Sequence, residues 1–373
     1  MTSFSRFTLL PSLQATLVEQ GLLNPTEIQE KAIPALLSGK SVACVAETGS
    51  GKTLAYVLPV LHALKTLELN GDPATAEGRP RAVVMVPTRE LGEQVARIFK
   101  PFTHTTRLRV RTVLGGTTLD VAKKNIRGAF EILVATPGRL VKLLDRGLVD
   151  FSDVRCLVFD EVDQMLDQGF LPDSNKIVGS CPAHRQLALF SATVSPQVQG
   201  LMNKLFAGTE VIRSKRSHKT VEGLTTQNLA VPSPSRFPLL NKVLGDKVPG
   251  GTIIFTNTRE QCDELAVELQ KANRQCLVYR GSMDKVERRS NLKSFRAGTI
   301  DLLVSTDLAS RGLDVEHVGR VINYHLPYQM EAYLHRVGRT ARAGRKGLVI
   351  NFVGDRDQAF VKQIETMKGS STR

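Results

Sequence analysis

The stretch AETGSGKT, residues 46–53, decides the fold. An apolar run, SVACVA (41–46), leads into it, and Leu54, Val57, Leu58, Leu61 and Leu64 follow at the three- and four-residue spacing of one helix face. Buried strand, glycine turn and helix in that order make a phosphate-binding loop. Gly49 and Gly51 let backbone N–H groups turn toward phosphate oxygens with no Cβ in the way, and the helix N-terminus adds its dipole. Lys52 is placed to neutralise the terminal phosphates of a nucleotide, and the Thr53 hydroxyl to ligate Mg2+. Glu47, Thr48 and Ser50 complete the cradle. The loop opens on Ala46 where the strict pattern has Gly, so the flanking strand and helix carry the reading as much as the motif.

Outward from this loop the alternation repeats. AVVMV (82–86), VRTVL (110–114), EILVA (131–135), CLVF (156–159) and LALF (187–190) are short apolar runs separated by helical patterns. A second series follows: TIIF (252–255), CLVY (276–279), DLLV (301–304), RVIN (320–323) and LVINF (348–352). Strands alternating with helices predict parallel sheets covered on both faces, and two series predict two doubly wound α/β domains. We place them at 1–213 and 223–373, with the polar, basic segment 214–222 as linker. Leu9, Leu13 and Leu17 mark a further helix with Gly21 as its stop, and NGDPATAEGRP (70–80) reads as a surface loop.

The second chemical signal is DEVD (160–163), directly after CLVF. Acids at the carboxyl end of a parallel strand stand where open α/β sheets bind ligands. Asp160 can hold Mg2+, partly through water, and Glu161 can orient or deprotonate an attacking water. Downstream of a phosphate loop in the same domain, the pair makes a nucleotide-hydrolysing site.

Composition narrows the partners. A net charge of +14 and a pI near 9.7 favour polyanions through phosphate neutralisation. Aromatic residues are only 5% and Trp is absent, which argues against base stacking as the main contact. Cys44, Cys156, Cys181, Cys262 and Cys276 have no metal-ligand spacing, and their odd number argues against a disulfide framework. They read as reduced thiols of a cytoplasmic protein. No signal peptide or membrane-spanning run is legible, and an initiating Met with a short GSSTR tail reads as a complete two-domain core.

With these motifs in order in both halves, the chain resembles the DEAD-box RNA helicases over nearly its whole length, which implies tandem RecA-like domains of the P-loop NTPase class. NPTEIQ (24–29) resembles the family's adenine-recognition segment, with Thr26 and Gln29 as contacts and Phe4 at the position of its stacking aromatic. Thr26 and Gln29 also have the spacing of a helix capping box, and both readings stay open. The resemblance implies RNA-backbone contacts at Pro87, Thr88 and Arg89 of PTREL, at Gly115 and Gly116, and at Thr136, Pro137, Gly138 and Arg139 of TPGR. Asp163 and SAT (191–193), through Ser191 and Thr193, would couple the two activities. In the second half the implied roles are RNA binding by Arg259 and Thr306, nucleotide contacts at Gly312 and Asp314, and arginine fingers at Arg339 and Arg342 beside His335. The spacing of His335, Arg339 and Arg342 predicts one face of one helix, with Gly338 inside it where a backbone approaches closely.

The implied activity is ATP hydrolysis, with Mg2+, on RNA binding, and local opening of short duplexes without sequence preference. Ribonucleoprotein or ribosome-assembly complexes are the implied setting, and a monomer the implied state. An ATP-gated RNA clamp with little unwinding uses the same residues and stays open, whereas the Gln29 segment and DEVD argue against a DNA translocase. The chain departs from the family pattern at Leu22, Glu47, Val162, Arg280, Lys285, His325 and Ala341, none of which removes Lys52, Asp160, Glu161, Arg339 or Arg342.

Overall fold

The computed structural model describes residues 3–47, 49–74, 76–209, 211–214, 223–231, 235–281, 283–307, 315, 317–341 and 346–369, with backbone alone at 285, 331 and 367–369. The chain divides into two compact units, Met1–Ser217 and His218–Arg373.

The first unit is built on seven strands: β1 (Val42–Val45), β2 (Ala82–Met85), β3 (Val110–Val113), β4 (Ile132–Ala135), β5 (Cys156–Phe159), β6 (Gln186–Ser191) and β7 (Val211–Arg213). All pairings are parallel, in the order β3-β4-β2-β5-β6-β1-β7. β1, β2, β4 and β5 are buried along their whole length, which is why they read as unbroken apolar runs. Alternate side chains feed opposite faces. Val42, Cys44 and Val84 pack with Leu58 and Leu61 of the helix Lys52–Leu69, while Ala43, Val83 and Met85 pack on the other face with Val162 and Met165. The chain passes from β1 across two later strands to β2, then returns through β5 and β6 to the side of β1. The sheet is thereby sorted into a β1-β6-β5 side and a β2-β4-β3 side.

The second unit has six parallel strands in the order β10-β11-β9-β12-β13-β8: β8 (Leu224–Ala230), β9 (Gly251–Thr256), β10 (Leu277–Tyr279), β11 (Leu302–Thr306), β12 (Val318–Asn323) and β13 (Gly347–Val353). Ile253, Phe255 and Val321 enter the core on one face, and Ile254 and Ile322 that on the other.

Two strands had no apolar signal. β7 is a three-residue edge strand, and β8, LTTQNLA, is a mostly polar edge strand that pairs with β13 over seven residues. Of the predicted linker, 215–222 lie outside the described residues; Ser214 is buried and donates its backbone N–H to the Val45 carbonyl at 3.1 Å and its hydroxyl to Glu27 at 2.9 Å.

One expectation is corrected. The helix carrying His335 spans Met330–Val337 and stops at Gly338, whose N–H caps the Leu334 and Arg336 carbonyls. Gly338 is therefore the end of the helix and not a position inside it, and Arg339 lies beyond the last turn rather than on a continued face. The helix predicted from Leu9, Leu13 and Leu17 spans Pro11–Glu19, so Leu9 lies before it, and it ends ahead of Gly21, which has φ of 68°. Cys44, Cys156, Cys181 and Cys262 are buried and Cys276 half-buried, all as free thiols, and burial pushes Cys44 and Cys156 up to about 12. Among the described residues no helix is long and apolar enough to cross a membrane.

Candidate nucleotide site and nucleic-acid interface

The carboxyl ends of β1, β6 and β5 are adjacent, and each carries one predicted motif. The ladder joins them: the N–H of Ala46 donates to the Ser191 carbonyl at 3.0 Å, bringing the glycine loop beside SAT. Gly49 and Gly51 have φ of 86° and 88°, conformations that favour glycine, and Gly51 is the residue before the helix Lys52–Leu69. The turn is pinned by Ser50, whose N–H and hydroxyl both donate to the Glu47 carbonyl, at 3.2 and 2.7 Å. Burial raises the Glu47 carboxyl, with Lys52 opposing. Lys52 is itself buried, and its ammonium donates to the Ala46 carbonyl at 2.5 Å, so the loop's own backbone satisfies the cation.

Gln29 is buried and holds two segments. Its Nε2 donates to the Gly51 carbonyl at 3.0 Å, and its Oε1 accepts from the Thr26 N–H at 2.9 Å. The capping box at Thr26 is thus formed, and the same amide ties it to the phosphate loop. A Cβ at position 51 would stand 2.4 Å from Gln29 Nε2 and 3.1 Å from the Thr26 hydroxyl, so those three residues are in contact. Phe4 is 3% exposed, packed edge-on to Phe7 with ring centroids 5.9 Å apart, and belongs to the core of the first unit.

At the end of β5, Asp160 is buried. Its Oδ2 accepts from the Tyr56 hydroxyl at 2.8 Å and its Oδ1 from the Glu161 N–H at 3.0 Å. Burial raises this carboxyl, while Lys52 and the Tyr56 hydrogen bond lower it. Glu161 sits in left-handed backbone, φ 51° and ψ 54°, which costs on the order of 1–2 kcal/mol for a residue with a Cβ. Its carboxylate accepts from Gln164 Nε2 at 3.2 Å, a partner that the sequence did not flag. Asp163 joins β5 to β6: its Oδ2 accepts from the Ala192 N–H, the Thr193 N–H and the Thr193 hydroxyl at 3.1, 2.9 and 3.0 Å. The Ser191 hydroxyl donates to the Thr193 carbonyl at 2.7 Å. Val162 is fully buried in the core beneath, which accommodates its branched side chain.

The other side of the sheet collects the predicted RNA contacts. Pro87, Thr88 and Arg89 follow β2, Gly115 and Gly116 follow β3, and Thr136, Pro137, Gly138 and Arg139 follow β4, three adjacent strands. A Cβ on Gly115 would lie 3.5 Å from the Thr136 hydroxyl, and Arg139 donates to the Thr117 carbonyl, so the β3 and β4 ends are joined. Thr88 caps its helix through the Leu91 N–H, and Arg89 pairs with Glu93 at 2.8 Å across a partly exposed surface.

In the second unit, Arg259 is exposed at the start of the helix Arg259–Lys271, its guanidinium 3.4 Å from where a Gly281 Cβ would be, and Thr306 ends β11. Gly312, Asp314 and Arg342, with Thr48 of the first unit, lie outside the described residues, as does the side chain of Lys285. Arg339 is 4% exposed and its Nε donates to the His335 carbonyl at 3.1 Å. Arg280 pairs with Asp263 at 2.6 Å, and Ala341 holds φ of 54° where the family pattern has Gly. Another residue that sequence reasoning missed is Arg336. Its side chain is 0% exposed and donates to both Asp307 oxygens at 2.5 and 2.7 Å, to Asn323 Oδ1 at 3.1 Å, to the His325 carbonyl at 2.6 Å and to Asn257 Oδ1 at 2.9 Å. Its guanidinium also lies 5.1 Å from the Phe255 ring centroid.

Known proteins combine these features. Residues 26–201 match the model of the DEAD/DEAH box helicase family, and residues 235–344 that of the helicase conserved C-terminal domain. The chain is 38% identical to the DEAD-box ATP-dependent RNA helicase RhpA of Helicobacter pylori over 94% of its own length and 69% of that protein's. It is 34% identical to the ATP-dependent RNA helicase CshA of Listeria monocytogenes, over 98% of its own length and 68% of the relative's. Among solved structures it resembles S. cerevisiae Dbp5 bound to RNA and ADP BeF3, with a TM-score of 0.87 and 26% identity, covering 100% of this chain and 95% of that one. Phosphate loop, acidic β5 terminus, SAT linkage and a second parallel-sheet unit place this chain in the DEAD-box family of ATP-dependent RNA helicases.

Proposed function

We propose that the chain hydrolyses ATP on binding RNA and uses the cycle to open or remodel short RNA duplexes. The observation that carries this is Asp163: one carboxylate, in the same motif as Asp160 and Glu161, holds the SAT backbone at Ala192 and Thr193. What happens at the nucleotide is thereby wired to a second strand end.

In this reading Gln29 and Thr26 contact the nucleotide and are tied to the loop through Gly51, and Phe4 is the aromatic that stacks on the adenine. Lys52 exchanges the Ala46 carbonyl for phosphate oxygens, and Glu47, Thr48, Gly49 and Ser50 supply the turn that surrounds them. The site suits Mg2+: the Thr53 hydroxyl, in the first turn after the phosphate loop, and the Asp160 carboxylate, after β5, are hard oxygen donors, and this ion takes few protein ligands besides water and phosphate. When bound it neutralises phosphate charge. Glu161, held at its strained backbone, accepts the proton of the attacking water. Arg339 and Arg342, with His335, act on the terminal phosphate as arginine fingers, and Gly312 and Asp314 contact the nucleotide.

RNA lies along Pro87–Arg89, Gly115–Gly116 and Thr136–Arg139 of the first unit and Arg259 and Thr306 of the second, through its backbone. Arg89 and Arg139 hold local partners that phosphate would replace. A strand bent over both surfaces leaves its A-form duplex, and hydrolysis releases it. The reducing cytoplasm, a monomeric state and ribonucleoprotein substrates belong to the same proposal, supported by five free cysteines and the basic charge.

The test is ATP turnover with and without single-stranded RNA, with DNA as comparison, for the native chain and Glu161→Gln. RNA should stimulate turnover and DNA should not, and the substitution should remove about 10²–10⁴-fold of the rate while leaving ATP binding intact. Turnover indifferent to RNA refutes the proposal.

A further inference from the structure

Tyr56 belongs to the apolar helix that follows the phosphate loop, and its ring is fully buried, 5.2 Å between centroids from Phe190 of β6. A buried phenol needs a partner, and packing alone would be served as well by Phe. The hydroxyl donates to Asp160 Oδ2 at 2.8 Å. Tyr56 thus holds one of the two protein oxygens assigned above to Mg2+.

That hydrogen bond has a chemical consequence. The second Asp160 oxygen is fixed by the Glu161 N–H at 3.0 Å, so both carboxylate oxygens have donors and the carboxylate's rotamer is set from two sides. Phe190 packs against the ring that carries the hydroxyl.

We infer that Tyr56 is a positioning residue for the magnesium site, acting through its hydroxyl on Asp160. The inference rests on the magnesium reading given under Proposed function. Partners that orient metal ligands change metal affinity by about 10–100-fold when removed.

The experiment titrates Mg2+ into the full chain with a fluorescent ADP, so that no turnover is required. In the native chain Mg2+ should tighten nucleotide binding. Tyr56→Phe keeps the ring; its Mg2+ midpoint should rise about 10–100-fold, with nucleotide affinity in EDTA and RNA affinity unchanged. Phe190→Leu is the packing control and should lower the melting temperature without moving the Mg2+ midpoint. Coincident Mg2+ curves for Y56F and the native chain overturn the inference and leave the proposed function standing. Equal shifts in Y56F and F190L also overturn it, because the effect then belongs to packing. Nucleotide binding indifferent to Mg2+ in the native chain overturns the magnesium reading itself, and the inference with it.

Discussion

Replacing Arg336 should unfold the framework of the second unit before it touches any chemistry. Its guanidinium spends all of its reach on five acceptor atoms: two of Asp307, one each of Asn257 and Asn323, and the His325 carbonyl. These belong to the ends of β9, β11 and β12 and the turn after β12, so one side chain fixes four chain segments. Arg336→Ala leaves the Asp307 carboxylate without this partner and removes a charge-assisted pair from the interior, a loss of about 3–5 kcal/mol. Against a domain stability of about 5–15 kcal/mol, that is a large fraction. Arg336→Lys keeps the charge but offers three donors from a single nitrogen, cannot span the Asp307 fork and the two asparagines together, and should cost roughly 2–3 kcal/mol. Hydrogen exchange read by mass spectrometry measures this segment by segment, with the first unit as internal control. Protection should fall in 251–257, 302–307 and 318–326 and hold in the first unit. Arg336→Ala and Asp307→Asn should be strongly non-additive, since they remove the same interaction. A loss below about 1 kcal/mol for Arg336→Ala, or additive effects of the pair, refutes the argument.

Three further outcomes follow from local geometry. Gly51→Ala places a Cβ 2.4 Å from Gln29 Nε2 at φ of 88°, so the Gln29 bond to the loop must break; fluorescent-nucleotide titration should show at least a roughly tenfold loss of affinity, the equivalent of about 1.4 kcal/mol. Ala341→Gly relieves a left-handed alanine and should raise the second unit's stability by about 1 kcal/mol, seen as a higher melting temperature. Burial, with Arg236 and Arg336 adding to it, holds His325 at about 4, below its ordinary 6.5. The unfolded chain then takes up a proton between those values that the folded chain refuses, so stability is complete above pH 6.5 and is lost as pH falls toward 4. Discounted for solvent screening, this is about 1–2 kcal/mol, and urea midpoints at pH 7 and pH 5 should differ less in His325→Asn than in the native chain.

What the sequence discloses and what it hides divide along a physical line. The phosphate loop, the acidic end of β5 and eleven of the strands are written in consecutive residues, because a glycine turn, a carboxylate after an apolar run and a strand buried on both faces are all local patterns. β8 escapes because LTTQNLA is an edge strand that presents polar side chains and declares itself only through its pairing with β13. The end of the helix at Gly338 escapes because Arg339 turns back onto the His335 carbonyl, a choice that spacing does not encode.

Arg336 and Tyr56 escape for a deeper reason. Arg336 falls off the face on which spacing groups His335 with Arg339 and Arg342, and Tyr56 lies in an apolar helical segment like any core residue. Their identities are set by partners more than a dozen residues away: Asp307, Asn257 and Asn323 for the one, Asp160 for the other. The residues proposed to face substrate are read from their own strand ends. The residues that hold those ends in register cannot be read that way, because register is a property of the sheet. Glu161 shows how the two combine. Its left-handed backbone is unfavourable alone, and it is retained because Asp160 caps its N–H, Gln164 holds its carboxylate and Asp163 anchors the helix it opens to β6. In the proposed reaction, a carboxylate held this firmly loses little entropy when water and phosphate arrive, and positioning of that kind is most of what phosphoryl transfer asks of a protein.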